Sequence, residues 1–346
     1  MKSLLRVFAL ATIAVASALF SLSASAATTL RIATWLAPTH PMNAEVLPTW
    51  AQWVEEATEG RVEVKLEYDL GHPRSYFDLV EDGVADAGWS LHAYVPGRFV
   101  LTELSEMPMT DATAEGTSVA YWRINEQYLA KAGEHEGITL LGLFTEGAAA
   151  LQLRRPVETL DDLKGLKIRA PGGIASQIGH ELGVTNVSAP APKVYELLQQ
   201  GVVDGVMISP MTQKSLRLNE VINQMISVPG GVFRGSFSFF AGEDFLDGLS
   251  ARDRNAILSV SGEKFSAMAG KVWEQANIDG FAVASESGVT YTEADQATPI
   301  YQTMDRITSE VRSDWVKKAT SRGVDGQKVL DEYLALATGY TSETSE

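Results

Sequence analysis

The strongest constraint on the fold is a short stretch of sequence that the chain uses twice. Leu79-Val-Glu-Asp-Gly-Val-Ala-Asp86 is echoed by Leu197-Leu-Gln-Gln-Gly-Val-Val-Asp204. Each copy reads as the last turn of a helix, stopped by Gly83 or Gly201 in the left-handed cap position. Each then enters an apolar strand, Ala87 to Leu91 and Gly205 to Ile208. One distant pair is not a solenoid repeat. It suits two similar α/β lobes with one copy each; chance recurrence of a common helix–glycine–strand unit is the alternative. Ligands of open α/β sheets bind beyond the carboxyl ends of strands, so Trp89 to His92 and Met207 to Met211 are expected on opposite lips of one cleft.

The remaining periodicities agree with this architecture. Leu30 to Trp35 alternates as an opening strand. Val46, Leu47, Trp50, Trp53, Val54 and Ala57 recur at helical spacing up to Gly60, with Pro48 either starting or kinking that helix. Val62 to Tyr68 has strict period two, and strand, helix, strand in this order implies a parallel sheet. Strands follow at Thr139 to Phe144, Leu151 to Leu153 and Leu166 to Ala170, the last stopped by Pro171-Gly172-Gly173. Phe233, Phe237, Phe239 and Phe240 read as one aromatic strand. Ser250 with Asp253 caps a helical pattern that runs almost to Gly288, long enough to bridge both lobes, with Gly262 as the point where it can split.

The predicted fold is therefore α/β, a two-lobed clamshell. Lobe I covers residues 27–148 with a strand returning near 236–260, and lobe II covers 149–235. A long lobe-bridging helix spans 250–288, C-terminal helices span 289–340, and 341–346 is a polar tail expected to be disordered. Residues 1–26 read as a signal peptide: Lys2 and Arg6, an apolar stretch from Val7 to Leu22, then Ala24 and Ala26 at the small positions of a cleavage site. The apolar stretch falls short of the ~20 residues of a spanning helix. Export is expected, with a soluble product.

Composition narrows the chemistry. There is no Cys, which removes disulfides, thiolate zinc sites, iron–sulfur clusters and cysteine nucleophiles. With 28 Lys+Arg against 44 Asp+Glu, the net charge is −16. That balance offers no field for a polyanion, so nucleic acid is not an expected partner, and an anionic ligand needs a locally placed cation. No phosphate-binding glycine loop, nucleophile elbow or H-E-x-x-H motif occurs. The five His are scattered, His135-Glu136 and His180-Glu181 lack a second His four residues on, and no carboxylate spacing marks an acid/base pair. No catalytic residues, metal site or cofactor are therefore assigned.

A binding chemistry is easier to build. Arg169 ends an apolar strand immediately before Pro171-Gly172-Gly173 and a helix start. There its planar fork can meet a carboxylate in two parallel charge-assisted bonds; the alternative is a surface arginine at a strand end. Trp35, on the loop after the first strand, either walls a pocket or is half-buried core. His40, between Thr39 and Pro41, is a ligand contact or a turn-stabilising hydrogen bonder. Trp89 is core unless the cleft reaches it.

Four segments in order carry a family resemblance: Leu30-Arg-Ile-Ala-Thr-Trp-Leu-Ala-Pro-Thr-His-Pro-Met-Asn43, the Gly83-Val-Ala-Asp86 turn, Asp162-Leu-Lys-Gly-Leu-Lys-Ile-Arg-Ala-Pro-Gly172 and Tyr195-Glu-Leu-Leu-Gln-Gln-Gly-Val-Val-Asp-Gly205. Together they resemble the solute receptors of tripartite ATP-independent periplasmic (TRAP) transporters, of the dicarboxylate-binding-protein type. The resemblance implies a periplasmic protein of two α/β lobes joined by strands and a long helix. Such a protein closes on a small organic anion and delivers it to membrane permease subunits, without performing a reaction. It maps the family's selectivity arginine onto Arg169. The site expected with it comprises Trp35, His40 and Trp89 on the first lobe, with Met207, Ser209 and Phe233 opposite.

The departures bear on the ligand. A second arginine found in some members is Ala149 here, Met207-Ile208-Ser209 replaces a common Asn, and an aromatic ahead of the Val-Tyr pair is Ala191 or Pro192. A monocarboxylate with an apolar or aromatic body is expected over a dicarboxylate or polyhydroxylated ligand. The rivals are a receptor reporting its ligand to a membrane sensor, which the same fold permits, and a periplasmic hydrolase.

Overall fold

The computed structural model describes residues 27–341; the expected signal peptide and residues 342–346 of the tail lie outside the described residues. The strands are β1 (Thr28–Thr34), β2 (Val62–Tyr68), β3 (Ala87–Leu91), β4 (Ile138–Thr145), β5 (Ala150–Leu153), β6 (Lys167–Ala170), β7 (Thr185–Ser188), β8 (Gly205–Ile208), β9 (Gln224–Ser227), β10 (Ser236–Gly242) and β11 (Thr290–Glu293). They form two sheets, ordered β2-β1-β3-β10-β4 and β11-β9-β5-β8-β6-β7. In the first, β1 runs parallel to β2 and β3, and β10 lies antiparallel between β3 and β4. In the second, β6 is parallel to β7 and β8, while β5 is antiparallel to β8 and β9.

The repeated sequence is a repeated structure. Gly83 and Gly201 have φ of 70° and 72°. Behind them, Val84 N donates to Leu79 O and Val202 N to Leu197 O, both at 2.9 Å. The aspartate that ends each copy fastens the next strand to an earlier one. Asp86 Oδ2 accepts from Arg31 N at 2.8 Å, and Asp204 Oδ2 accepts from Lys167 N at 2.9 Å. The echo therefore builds the β1/β3 pair in one sheet and the β6/β8 pair in the other. All four strands are parallel within their pairs, and their carboxyl ends set the site.

Two short chain crossings join the sheets, and a third passage runs through the helices between β10 and β11. Residues 146–149 lead from β4 to β5, and residues 228–235 lead from β9 back to β10. They are laced together by Ala149 N to Phe233 O and Val232 N to Ala149 O, each 2.9 Å, and by Glu146 N to Gly235 O at 3.2 Å. Phe233 thus lies in a crossing, outside the aromatic strand expected to contain it; β10 begins only at Ser236.

The bridging helix of residues 250–288 is split at the glycine where the sequence allowed it. It is two helices, Ala251–Ser259 and Glu263–Glu286, parted at Gly262 with φ +69° and ψ −131°, a conformation closed to most side chains. The longer piece ties both sheets. Leu143 N on β4 donates to Ser266 Oγ at 3.1 Å, and Ser209 Oγ beyond β8 donates to Asn277 Oδ1 at 2.9 Å. The segment after it opens on strand β11 before the helices Pro299–Ser321 and Gly326–Gly339. The α-helix Leu47–Ala57 starts with Pro48 in its first turn, directly after a π-helical turn at Met42–Val46.

Apolar side chains separate by strand parity. Leu151, Leu153, Ile168, Ala170 and Met207 pack on one face of the second sheet with residues of the C-terminal helices. Ala150, Val206 and Ile208 pack on the other face. The first sheet has its own core around Trp50, Trp89 and Phe239.

Candidate functional site

The carboxyl ends of β1, β3, β6 and β8 converge on one cavity between the two sheets. Trp35 and Leu36 follow β1, Leu91 and Tyr94 come from the end of β3, Arg169 and Pro171 from β6, and Ile208, Met211 and Thr212 from β8. His40 closes it from the loop after β1, Glu146 and Phe233 from the two crossings, and Trp273 from the bridging helix. Nearly all of these side chains are buried, so the lobes are closed over the space between them. The position is where open α/β sheets place ligands, and the lining is mainly apolar with few polar groups, as small-molecule sites are.

Arg169 is the cation of the cavity and is only 1% exposed. In the ladder it stands opposite Val206, on the reverse face from Ile168 and Ala170. Its Nε donates to Ala189 O at 2.8 Å and its Nη2 to Tyr94 Oη at 3.4 Å. Among the described residues Nη1 has no hydrogen-bond partner, and no carboxylate forms an ion pair with the guanidinium. Burial pulls its pKa down from the ordinary arginine value, opposed by Tyr94 and Glu146. A guanidinium starts so high that it stays charged.

Tyr94 reaches Arg169 from the other sheet. Its oxygen also accepts from Ala191 N at 2.8 Å, so both lone pairs are occupied and the phenolic proton is left to donate. Burial raises its pKa, against the pull of Arg169, which keeps that proton in place. Glu146 Oε1 accepts from Gly235 N at 3.1 Å. Burial pushes this carboxyl up to about 7, against the opposing pull of Arg169, the Gly235 N–H and Arg234. His40 Nδ1 accepts from Met42 N at 3.2 Å, which assigns the neutral ring's proton to Nε2. Burial holds its pKa down at about 3.

Of the seven residues expected from the sequence, the structure brings Trp35, His40, Arg169 and Phe233 around this cavity. Three are elsewhere. Trp89 stands behind Trp35, ring centroids 4.5 Å apart; its carbonyl accepts from Trp35 Nε1 at 3.0 Å, and its own Nε1 donates to Thr34 Oγ1. Met207 points into the core on the far face of the sheet, because odd and even residues of β8 face opposite ways and Ile208 shares the face of Arg169. Ser209 is spent on Asn277 and the turn after β8.

Sequence reasoning misses Glu146, Tyr94 and Trp273, and it places Ile208 on the cleft lip only within the span Met207 to Met211, singling out Met207 and Ser209 instead. Tyr94 lies in a short turn with no motif, and Glu146 is one carboxylate among many. Only its position, directly after a predicted buried strand, marks it out. Trp273 looks like an ordinary helix-core residue; its Nε1 is buried without a partner among the described residues. In those residues no cluster of His, Asp and Glu is disposed to hold a metal ion, and no helix is long and apolar enough to cross a membrane.

Known proteins share this architecture. The family described as bacterial extracellular solute-binding protein, family 7 (DctP), matches residues 32–314. A protein of Comamonas testosteroni named outer membrane transporter protein TsaT is 30% identical over 331 residues, 95% of this chain and 97% of its own. The crystal structure of a TRAP periplasmic solute-binding protein from Bordetella bronchiseptica, with (R)- and (S)-mandelate bound, superposes with a TM-score of 0.86 and 32% identity. The match covers 90% of this chain and 98% of that one. A TRAP solute-binding protein from Rhodoferax ferrireducens, in complex with copurified benzoate, gives 0.83 and 25% identity, with 90% and 97% covered.

Proposed function

The chain belongs to the family-7 bacterial extracellular solute-binding proteins and is a TRAP transporter solute receptor, and from that premise we propose that it captures a small aromatic monocarboxylate in the periplasm, unchanged, and hands it to the membrane permease. The observation that carries this reading is the pairing of one guanidinium with an enclosed aromatic cavity. Arg169 is the one cationic side chain in the lining among the described residues, set against Trp35, Phe233, Phe237 and Trp273. A single cation with free donors suits one carboxylate. Ala149, at the place of a second arginine in other members, is buried core and offers nothing to a second carboxylate. The mandelate and benzoate bound by the two structural relatives support the same class of ligand.

Within this reading Arg169 is the carboxylate anchor, Tyr94 its support from the opposite lobe, and the aromatic walls hold the ring. Titration calorimetry of benzoate and mandelate, with succinate as the dicarboxylate control, tests it. Hydrogen bonds to charged groups contribute about 1.5–3 kcal/mol each. At about 1.4 kcal/mol per tenfold, Arg169→Ala is expected to weaken binding by roughly two orders of magnitude or more. Arg169→Lys, which keeps the charge and loses the fork, is expected to fall between. Binding of the aromatic acids by Arg169→Ala within a few-fold of wild type would place the anchor elsewhere, and tighter binding of succinate would overturn the ligand class.

A further inference from the structure

The carboxylate site holds a carboxyl group of its own. Glu146 lies on the crossing between β4 and β5 and lines the same cavity as Arg169. One of its oxygens is fixed by the Gly235 N–H at 3.1 Å, and among the described residues Oε2 has no partner. Arg169 does not pair with it, although both border the same small space. A negatively charged glutamate would meet an incoming anion there in a low-dielectric enclosure, where like charges repel far more strongly than in water.

We infer that Glu146 receives the ligand as a carboxylic acid, so that a proton is taken up with the ligand wherever Glu146 is ionised beforehand, and that the acid O–H is a hydrogen-bond donor to a ligand oxygen beside Arg169. This rests on the reading of the cavity as a carboxylate site. It adds a specificity-determining residue to that site: a donor where an ionised glutamate could only accept.

The groups around Glu146 decide the balance. Arg169, Arg234 and the Gly235 N–H favour the ionised form, while burial outweighs them and favours the acid. Arg234 spends its guanidinium on main-chain carbonyls, donating from Nη1 to Glu146 O at 3.2 Å and from Nη2 to Thr110 O at 3.1 Å and to Ala112 O. It does not line the cavity. Glu106, whose carboxyl is raised in part by the charge of Glu146, is itself buried and held well above the usual carboxylate range. Tyr94 keeps its proton and His40 stays neutral. The remaining cation facing the cavity is Arg169, and one arriving carboxylate neutralises it. Glu146 then gains from keeping its proton.

Linkage gives the sign. A ligand that prefers the protonated form takes up protons on binding wherever Glu146 is ionised beforehand, and its affinity falls as pH rises through that range. The test is calorimetric titration of benzoate and mandelate into wild type and Glu146→Gln, in phosphate and in Tris, whose ionisation enthalpies differ. For wild type, uptake close to one proton per ligand is expected at pH 8 and close to none at pH 5.5. Its Kd should rise by about tenfold between pH 6 and pH 8. Glu146→Gln, with an amide donor in place of the acid, should bind at pH 6 within a few-fold of wild type, with a flat pH profile and no uptake. Infrared difference spectra of the wild type at pH 8 should show a protonated-carboxyl band on ligand addition, a readout independent of the variant's folding. Binding without proton uptake, uptake that persists in Glu146→Gln, or absence of that band overturns this inference alone. If neither acid binds at millimolar concentration, the ligand class of the preceding section falls and this inference with it.

Discussion

Tyr94 and Arg169 meet across the cleft: the phenol oxygen at the end of β3 lies 3.4 Å from the guanidinium Nη2 at the end of β6. The same oxygen holds Ala191 N at 2.8 Å, so one hydroxyl ties the first sheet to two segments of the second and orients the cation between them. Tyr94→Phe removes this tie and leaves the ring. We expect ligand affinity to fall by about tenfold, the value of roughly one hydrogen bond of this kind, with little change in melting temperature. Small-angle scattering with saturating benzoate should show the variant less fully closed than wild type. An unchanged radius of gyration and affinity would assign Tyr94 no part in closure.

Met207 and Ile208 adjoin in sequence and face opposite ways, which separates stability from binding. Met207→Ala cuts a core side chain and is expected to cost about 2–5 kcal/mol in urea unfolding while affinity changes little. Ile208→Ala enlarges the cavity itself, so its signature is a shift of preference towards bulkier ring-substituted acids. Competition titrations with benzoate and a substituted benzoate would detect it. The reverse pattern would mean that β8 is turned the other way in solution.

Ligand-induced changes in tryptophan fluorescence should originate from Trp35 and Trp273, which line the cavity, and not from Trp89, which Trp35 covers. Trp35→Phe and Trp273→Phe are each expected to reduce the signal, and Trp89→Phe to leave it essentially whole. A signal that vanishes in Trp89→Phe alone would contradict the layering.

Acid should unfold the protein through its buried histidines. His40 is held at about 3 by burial, and His92 lies well below the ordinary histidine value through burial first and then through His135 and Arg98. In the unfolded chain both titrate near ~6.5, so below that pH the unfolded state binds protons the folded state refuses. Stability is then lost as pH falls towards 3, by about 1.4 kcal/mol per pH unit for each. Glu106 and Glu146, raised in the folded state, oppose this down to the ordinary carboxylate range. The steep loss is thus expected below about pH 4.5. Melting temperatures across pH 3–7 measure it, and His92→Gln should shallow the acid limb; an equally steep limb in that variant would exonerate His92.

What the sequence determined by itself is local. The glycine that stops each helix, the aspartate that follows, and the alternation of β2 and β6 are properties of a few adjacent residues, and each is written in those residues. They were enough to read two α/β lobes and to place Arg169 at a strand's carboxyl end. The tertiary structure alone decided which face of β8 met the cavity, so that Ile208 and not Met207 lines it: alternation separates two faces without saying which one a neighbouring lobe will cover. It alone set Trp89 behind Trp35 and moved Phe233 out of β10 into a crossing. It alone brought Glu146, Tyr94 and Arg169 to one space. These contacts join segments far apart in the chain, and their energetics come from shared burial, which no run of neighbouring residues encodes.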